Sequence, residues 1–95
     1  MCRAVISMAQ MYECDKLVKS VARFLAGFRP EHGRIYYFEK HRCKERIYKF
    51  FNSVRSVAGS KQCPFCSKRF RRRAAMVTHI ISVHYHDVLH IAGKE

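Results

Sequence analysis

The stretch KQCPFCSKRFRRRAAMVTHIISVH, residues 61–84, sets Cys63 and Cys66 two residues apart, His79 after a gap of twelve, and His84 after a gap of four. Two thiolates and two imidazoles are the donor types that tetrahedral zinc takes, and this spacing lets all four converge. Cysteines separated by two residues sit on a tight turn where both sulfurs can point to one side. Histidines about one helical turn apart leave the same face of a helix. Four protein donors close the coordination shell, whereas a catalytic zinc keeps one position open for water, so the spacing points to a structural ion and away from a hydrolase. CPFC also has the form of a redox pair, whose thiols are most reactive at a helix N-terminus. Here it precedes a hairpin-like turn with no βαβ pattern around it, and two histidines at metal spacing decide for the metal. No residue is read as catalytic.

The same residues resemble the two-cysteine, two-histidine zinc finger family, whose pattern is C-x2-C-x3-F-x5-L-x2-H-x3 to 5-H. Phe70 stands at the family's aromatic position and Met76 at its leucine, and the resemblance covers residues 61–84, about a quarter of the chain. It implies a ββα finger with one structural Zn2+ on Cys63, Cys66, His79 and His84, and with Phe70 and Met76 packed beneath the ion. Lys61 departs from the pattern, because the family usually carries an aromatic two residues before the first cysteine. Part of the small core must then come from elsewhere, and the segment from Ile47 to Val57 is a source. No second finger and no tandem linker follow His84. The tail YHDVLHIAGKE adds His86 and His90 as competing donors, although only His79 gives the twelve-residue gap.

The helices of this family lie in the major groove of DNA. With His79 as the seventh helical residue, the resemblance carries the base-facing positions onto Arg72, Ala75 and Thr78. Arg72 suits the bidentate contact to guanine O6 and N7, Ala75 can at most touch a thymine methyl, and Thr78 is permissive. Lys68, Arg69, Arg71 and Arg73 read as phosphate contacts. A lone finger covers about three base pairs, so the remaining chain must add DNA contacts or a dimer interface.

Charge supports a polyanionic partner independently. The 95 residues hold 19 Lys+Arg against 7 Asp+Glu, a formal net charge of +12, and the pI is near 10.0. Solvated charge usually mixes both signs, whereas Arg71, Arg72 and Arg73 are an unbroken block. Double-stranded DNA is the leading partner, with RNA and an acidic protein as alternatives. An RNA reader should show aromatic platforms, but most of Tyr12, Tyr36, Tyr37, Phe38, Phe50 and Phe51 fall at helical spacing and read as core. A protein partner would use the apolar run AAMVTHIISV, through Val77, Ile80 or Ile81. No apolar run approaches the roughly 20 residues of a spanning helix, which argues against a membrane. The odd count of five cysteines argues against a fully paired disulfide framework. The opening MCRAVISMAQMYE is too short and polar for a secretory signal. The expected location is therefore intracellular: the nucleus in a eukaryote, otherwise the cytoplasm or a host's cytoplasm. Cys2, Cys14 and Cys43 lack ligand spacing and read as inert thiols, and His41 beside Cys43 does not converge with it on a helix face.

Small residues at Ala58-Gly59-Ser60 divide the chain into residues 1–59, with 12 basic and 5 acidic side chains, and residues 60–95, with 7 and 2. In the first part Val5, Met8, Ala9 and Tyr12 recur at helical spacing, and Leu17, Val18, Val21, Phe24, Leu25 and Phe28 continue it. This predicts one long helix, or two with Asp15 as an N-cap. Gly27 and the stretch from Phe28 to Gly33 end the pattern. RIYYF, residues 34–38, fits a short strand or a helix start. Ile47, Phe50, Phe51 and Val54, with Val57 or Ala58, form the apolar face of an amphipathic helix whose remainder carries Lys44, Arg46, Lys49 and Arg55. The expected fold class is mostly α, an N-terminal helical region followed by one small ββα zinc finger. Fifty-nine residues make a marginal core, so the stripes either bury one another or pair two chains as a homodimer. The function so read is that of a zinc-finger DNA-binding protein, a transcriptional regulator or architectural factor. The alternative is a protein-interaction module, and no enzymatic activity is expected.

Overall fold

A computed structural model describes residues 8–29, 35–56 and 60–93. Cys2, Val5, the turn from Pro30 to Gly33, Val57 and the boundary at Ala58-Gly59 lie outside the described residues. Among the described residues there are four helices, α1 (Met8–Leu25), α2 (Lys44–Ser53), α3 (Arg73–Val83) and α4 (Tyr85–Ile91), with a 3-10 turn (Tyr37–Lys40) ahead of α2.

α1 is one continuous helix. Asp15 lies inside it, not at its N-terminus, and its carboxylate accepts a hydrogen bond from the Tyr85 hydroxyl at the start of α4. Cys14, Leu17, Val18, Val21, Ala22 and Leu25 follow the i, i+3, i+4 pattern and are buried, while Lys16, Lys19 and Arg23 face out. Gly27 ends the helix as its residues suggest. With φ at 90° it lets the Phe28 N–H reach the Arg23 carbonyl at 3.1 Å and its own N–H reach Phe24 at 3.1 Å, the paired bonds of a Schellman motif. The buried stripe packs against α3, α4 and the 3-10 turn, so it is used within one chain.

Of RIYYF, the described residues 35–38 form neither a strand nor an α-helix start and lead into the 3-10 turn. The Tyr36 N–H donates to Glu39 Oε1 at 2.8 Å, the Tyr48 hydroxyl donates to Glu39 Oε2 at 2.7 Å, and the Phe38 N–H reaches Ser20 Oγ of α1 at 3.3 Å. These bonds lower a fully buried Phe38 onto Phe24, whose ring also meets Tyr36, Tyr48 and Phe51 at centroid distances of 4.8 to 5.6 Å. Burial, reinforced by Glu39, pushes the Tyr48 phenol up to about 12. Tyr12, read as core from its spacing, is instead 61% exposed, with Lys16 Nζ 5.0 Å from its ring centre. α2 buries Ile47 and half-buries Phe50 and Phe51, as its stripe requires.

The ββα expectation is overturned. Among the described residues there is no strand, only an isolated antiparallel bridge between Gln62 and Arg69. The backbone around the cysteines explains why. Lys61 and Ser67 both take φ near 65°, a left-handed conformation that interrupts extended chain, and the bends at Arg71 and Arg72 lead directly into α3. Too few extended residues remain on either side for a ladder. The segment after His84 also differs from a tail: it is α4, and Val88, Leu89 and Ala92 are buried. One cluster of buried side chains includes Cys14, Val18 and Val21 of α1, Ile47 of α2, Cys63, Met76 and Ile80 of α3, and Leu89 of α4. Each large apolar side chain so buried contributes about 1.5 to 3 kcal/mol, so α1 and the cysteine-bearing segment stabilise each other. Cys43 is buried, whereas Cys14, also read as a thiol, is disulfide-bonded. No described helix is long and apolar enough to cross a membrane.

Candidate metal centre

Cys63-Pro64-Phe65-Cys66 forms a tight knuckle. The Cys63 N–H donates to the Lys68 carbonyl at 2.8 Å, the Ser67 N–H to the Cys63 carbonyl at 2.9 Å, and the Phe70 N–H to the Lys61 carbonyl at 2.9 Å. The knuckle lays Cys63 into the core, fully buried, and leaves Cys66 exposed. α3 begins at Arg73, which makes His79 its seventh residue, and it ends where His84 breaks the helix with φ −111° and ψ 23°. One donor atom each from Cys63, Cys66, His79 and His84 lies within 4.8 Å of every other, with Cys66 Sγ and His79 Nε2 3.2 Å apart. A tetrahedral ion with thiolate and imidazole donors spaces them about 3.3 to 3.8 Å apart, so a small contraction closes the shell.

Two further observations fit these residues to a metal. His84 Nδ1 is 2.7 Å from Asp87 Oδ2, so the ring donates its Nδ1 proton to the carboxylate and leaves Nε2 with a free lone pair. That Nε2 is buried and makes no hydrogen bond, an orphaned acceptor that a metal ion would satisfy. The second observation is the thiol at Cys66. A hydrogen bond from the Lys68 backbone, together with the nearby His84 and His79 imidazoles, brings it down to about 6, which favours the thiolate that a metal requires. Burial pushes the Cys63 thiol in the opposite direction. At His84 burial opposes the charged ring, but the Asp87 and Cys66 interactions outweigh it and the net shift is upward.

Aromatic rings enclose the centre. Phe70 lies 4.9 Å from His79, and Phe65 stacks on His84 at 5.0 Å and 24°. On its other contact Phe65 stacks with Phe50 of α2 at 5.2 Å and 16°. α2 therefore supplies an aromatic to a segment in which Lys61 offers none. Met76 is fully buried, and half-buried Phe70 packs against the core cluster to which Met76 belongs. His86 and His90 are exposed and outside the donor cluster.

Sequence reading places Phe50 on the face of the Ile47 to Val57 segment but singles out neither Asp87 nor Phe65. Asp87 follows His84 by three residues, the spacing at which helical neighbours meet, and that was the available signal. Asp87→Ala is expected to weaken metal binding by about 10- to 100-fold, since carboxylates behind ligating histidines contribute on that scale. Competition against a chromophoric chelator measures this, with helicity at saturating metal as the control. An affinity within twofold of the wild type would show that Asp87 does not orient the ligand.

The side chains read as DNA contacts are all on the surface. Arg72 is the extended residue that precedes α3, Arg71 and Arg73 flank it, and Ala75 and Thr78 follow on the exposed side of the helix. The Thr78 hydroxyl donates to the Ala74 carbonyl at 3.1 Å, which occupies its proton. Arg69 is exposed at the bridge, and Lys68 Nζ lies 5.7 Å from the Phe70 ring centre. The apolar run of α3 is largely spent inside. Met76 and Ile80 are fully buried, Val77 and Ile81 pack against the core, and Val83 alone of these is 62% exposed. Ile80 is thus a core residue and not a docking residue. Comparison of the chain with protein-family models, curated proteins and solved structures finds no significant match.

Proposed function

We propose that the protein binds nucleic acid through α3, with one structural zinc ion on Cys63, Cys66, His79 and His84 and double-stranded DNA as the partner. On this reading it works inside the cell as a regulator of transcription or an architectural factor. The observation that carries the proposal is the state of its positive charge. Among the described residues no lysine or arginine forms an ion pair, the one carboxylate contact of that kind being His84 with Asp87. The described lysines and arginines are therefore open to an outside polyanion, and a chain of formal net charge +12 carries a positive field that steers association with phosphate backbones. α3 also has no acidic residue in its first turn and no side-chain cap at Arg72, so the positive end of its dipole adds to the arginine block. Two thiolates with two imidazoles favour zinc over hard cations, which prefer oxygen donors.

Binding to duplex DNA should lose affinity linearly with log salt, at a slope of roughly −0.9 per neutralised phosphate. Arg71→Ala or Arg73→Ala should flatten the slope by about one and weaken all sequences alike, whereas Arg72→Ala should cost about 1 to 3 kcal/mol on a preferred guanine-containing site and less on random duplex. Equal losses from all three on every sequence would reduce the protein to a non-specific binder. A folded, metal-loaded protein with no duplex binding at low salt would end the DNA reading.

A further inference from the structure

The ring stack behind the metal centre leads into a groove of about 730 Å³, lined by Arg46, Lys49, Phe50 and Ser53 of α2 and by His90 and Ile91 of α4. Its volume falls in the range of small-ligand sites, about 300 to 1,000 Å³. Phe50 gives one contact to Phe65, which stacks in turn on His84, and Phe50 still lines the groove. Ile91 adds a second apolar wall. Cations stand beside this floor, and one of them is placed in advance. The Arg46 guanidinium lies against Gly93 at the end of α4, with its Cζ, Nε and Nη1 each 3.1 Å from where a Cβ at that residue would stand. Gly93 takes φ at 75°, and the absence of a side chain there is what admits the guanidinium. Neither Arg46 nor Lys49 has an ion-pair partner among the described residues.

We propose that this groove takes one unpaired nucleotide of a single-stranded nucleic acid, its base on Phe50 and Ile91 and its phosphate on Arg46 and Lys49. The inference rests on the nucleic-acid reading above and extends it to a second contact surface. A lone phosphate would use the cations but leave the aromatic floor idle, and an apolar peptide would leave the cations idle. A nucleotide uses both, because every base has a π-face and every residue of the strand carries a phosphate. The base must be unpaired, since a ring held inside a duplex cannot be laid on a side chain. Glu45, which also lines the groove, offers an acceptor to an exocyclic base amine.

The test uses the metal-loaded full chain with fluorescent ten-residue oligodeoxyadenylate, oligoriboadenylate and a mixed-sequence duplex. Phe50→Leu keeps the apolar volume but removes the π-face, and it should weaken one or both single strands by about 5- to 100-fold, well beyond any loss on the duplex. Which of the two strands responds identifies DNA or RNA as the source of the nucleotide. Lys49→Gln, on an exposed side chain, should flatten the single-strand salt slope by about 0.7. If Phe50→Leu loses metal or helicity, Lys49→Gln and Arg46→Gln decide the matter. Wild type that binds duplex, with both single strands indifferent to the groove substitutions, overturns the groove and leaves the α3 reading standing. Polyglutamate displacing the oligonucleotide at equal concentration also overturns it. Failure of every nucleic acid to bind removes both proposals together.

Discussion

Excess chelator is expected to remove most of the helicity of the intact protein, and not only that of residues 61–84. A structural zinc site supplies about 10 to 16 kcal/mol of apparent folding energy in small finger peptides, and a whole small domain is stable by only about 5 to 15 kcal/mol. The spacing of the apolar residues alone predicts the opposite for α1, because a helix with its own stripe needs no metal. In the folded chain, however, that stripe is buried against α3 and α4, and Cys63, Met76 and Ile80 belong to the same cluster as Val18 and Val21. Without metal, the two sulfurs and two imidazoles lose what holds the knuckle to α3, and α1 loses the surface that covers it. Far-UV circular dichroism should fall cooperatively on chelation and recover when zinc is added back. Hydrogen exchange locates the effect. Amides of Val18 to Leu25 that keep their protection without metal would show that α1 has a core of its own and that the coupling is absent.

The donor set was legible because coordination chemistry is local in type and spacing: two thiols on a turn and two imidazoles on a helix are already visible as letters. The α1 stripe and the Gly27 stop were legible for the same reason, since both depend on residues within a turn or two of one another. The missing strands were not. They were implied by resemblance, while the outcome depends on left-handed backbone at Lys61 and Ser67, neither of which is a residue that announces it. α4 was missed because His86 and His90 drew the segment toward ligand chemistry, although Val88, Leu89 and Ala92 carry an i, i+1, i+4 pattern that predicts a short buried helix. The links from Phe50 to Phe65 and from Ser20 to Phe38 join residues 15 and 18 positions apart, and no periodicity within one element can specify such pairs.

His84→Ala should damage the protein far more than His79→Ala, although both remove one imidazole from the same centre. His79 is half-exposed and contacts Cys66 and Phe70. Its loss leaves three protein donors and an opening to solvent through which water can complete the shell, so metal binding weakens but saturating metal should still fold the chain. His84 is buried, stacks on Phe65, binds Asp87 through Nδ1, and forms the junction at which its N–H ends α3 on Ile80 and its carbonyl receives the Val88 N–H of α4. Truncating a large buried side chain to alanine costs on the order of 2 to 5 kcal/mol, a large part of the stability of a small domain before the lost ligand is counted. Helicity of His84→Ala is therefore expected to stay low at any metal concentration. His84→Phe separates the two contributions: it keeps a ring against Phe65 without a donor, and should regain part of the helicity while binding metal no better than the alanine variant. Thermal unfolding of all three at saturating zinc makes the comparison. Equal midpoints for His79→Ala and His84→Ala would mean that His84 acts as a ligand only, and that the junction between α3 and α4 is held by the apolar core.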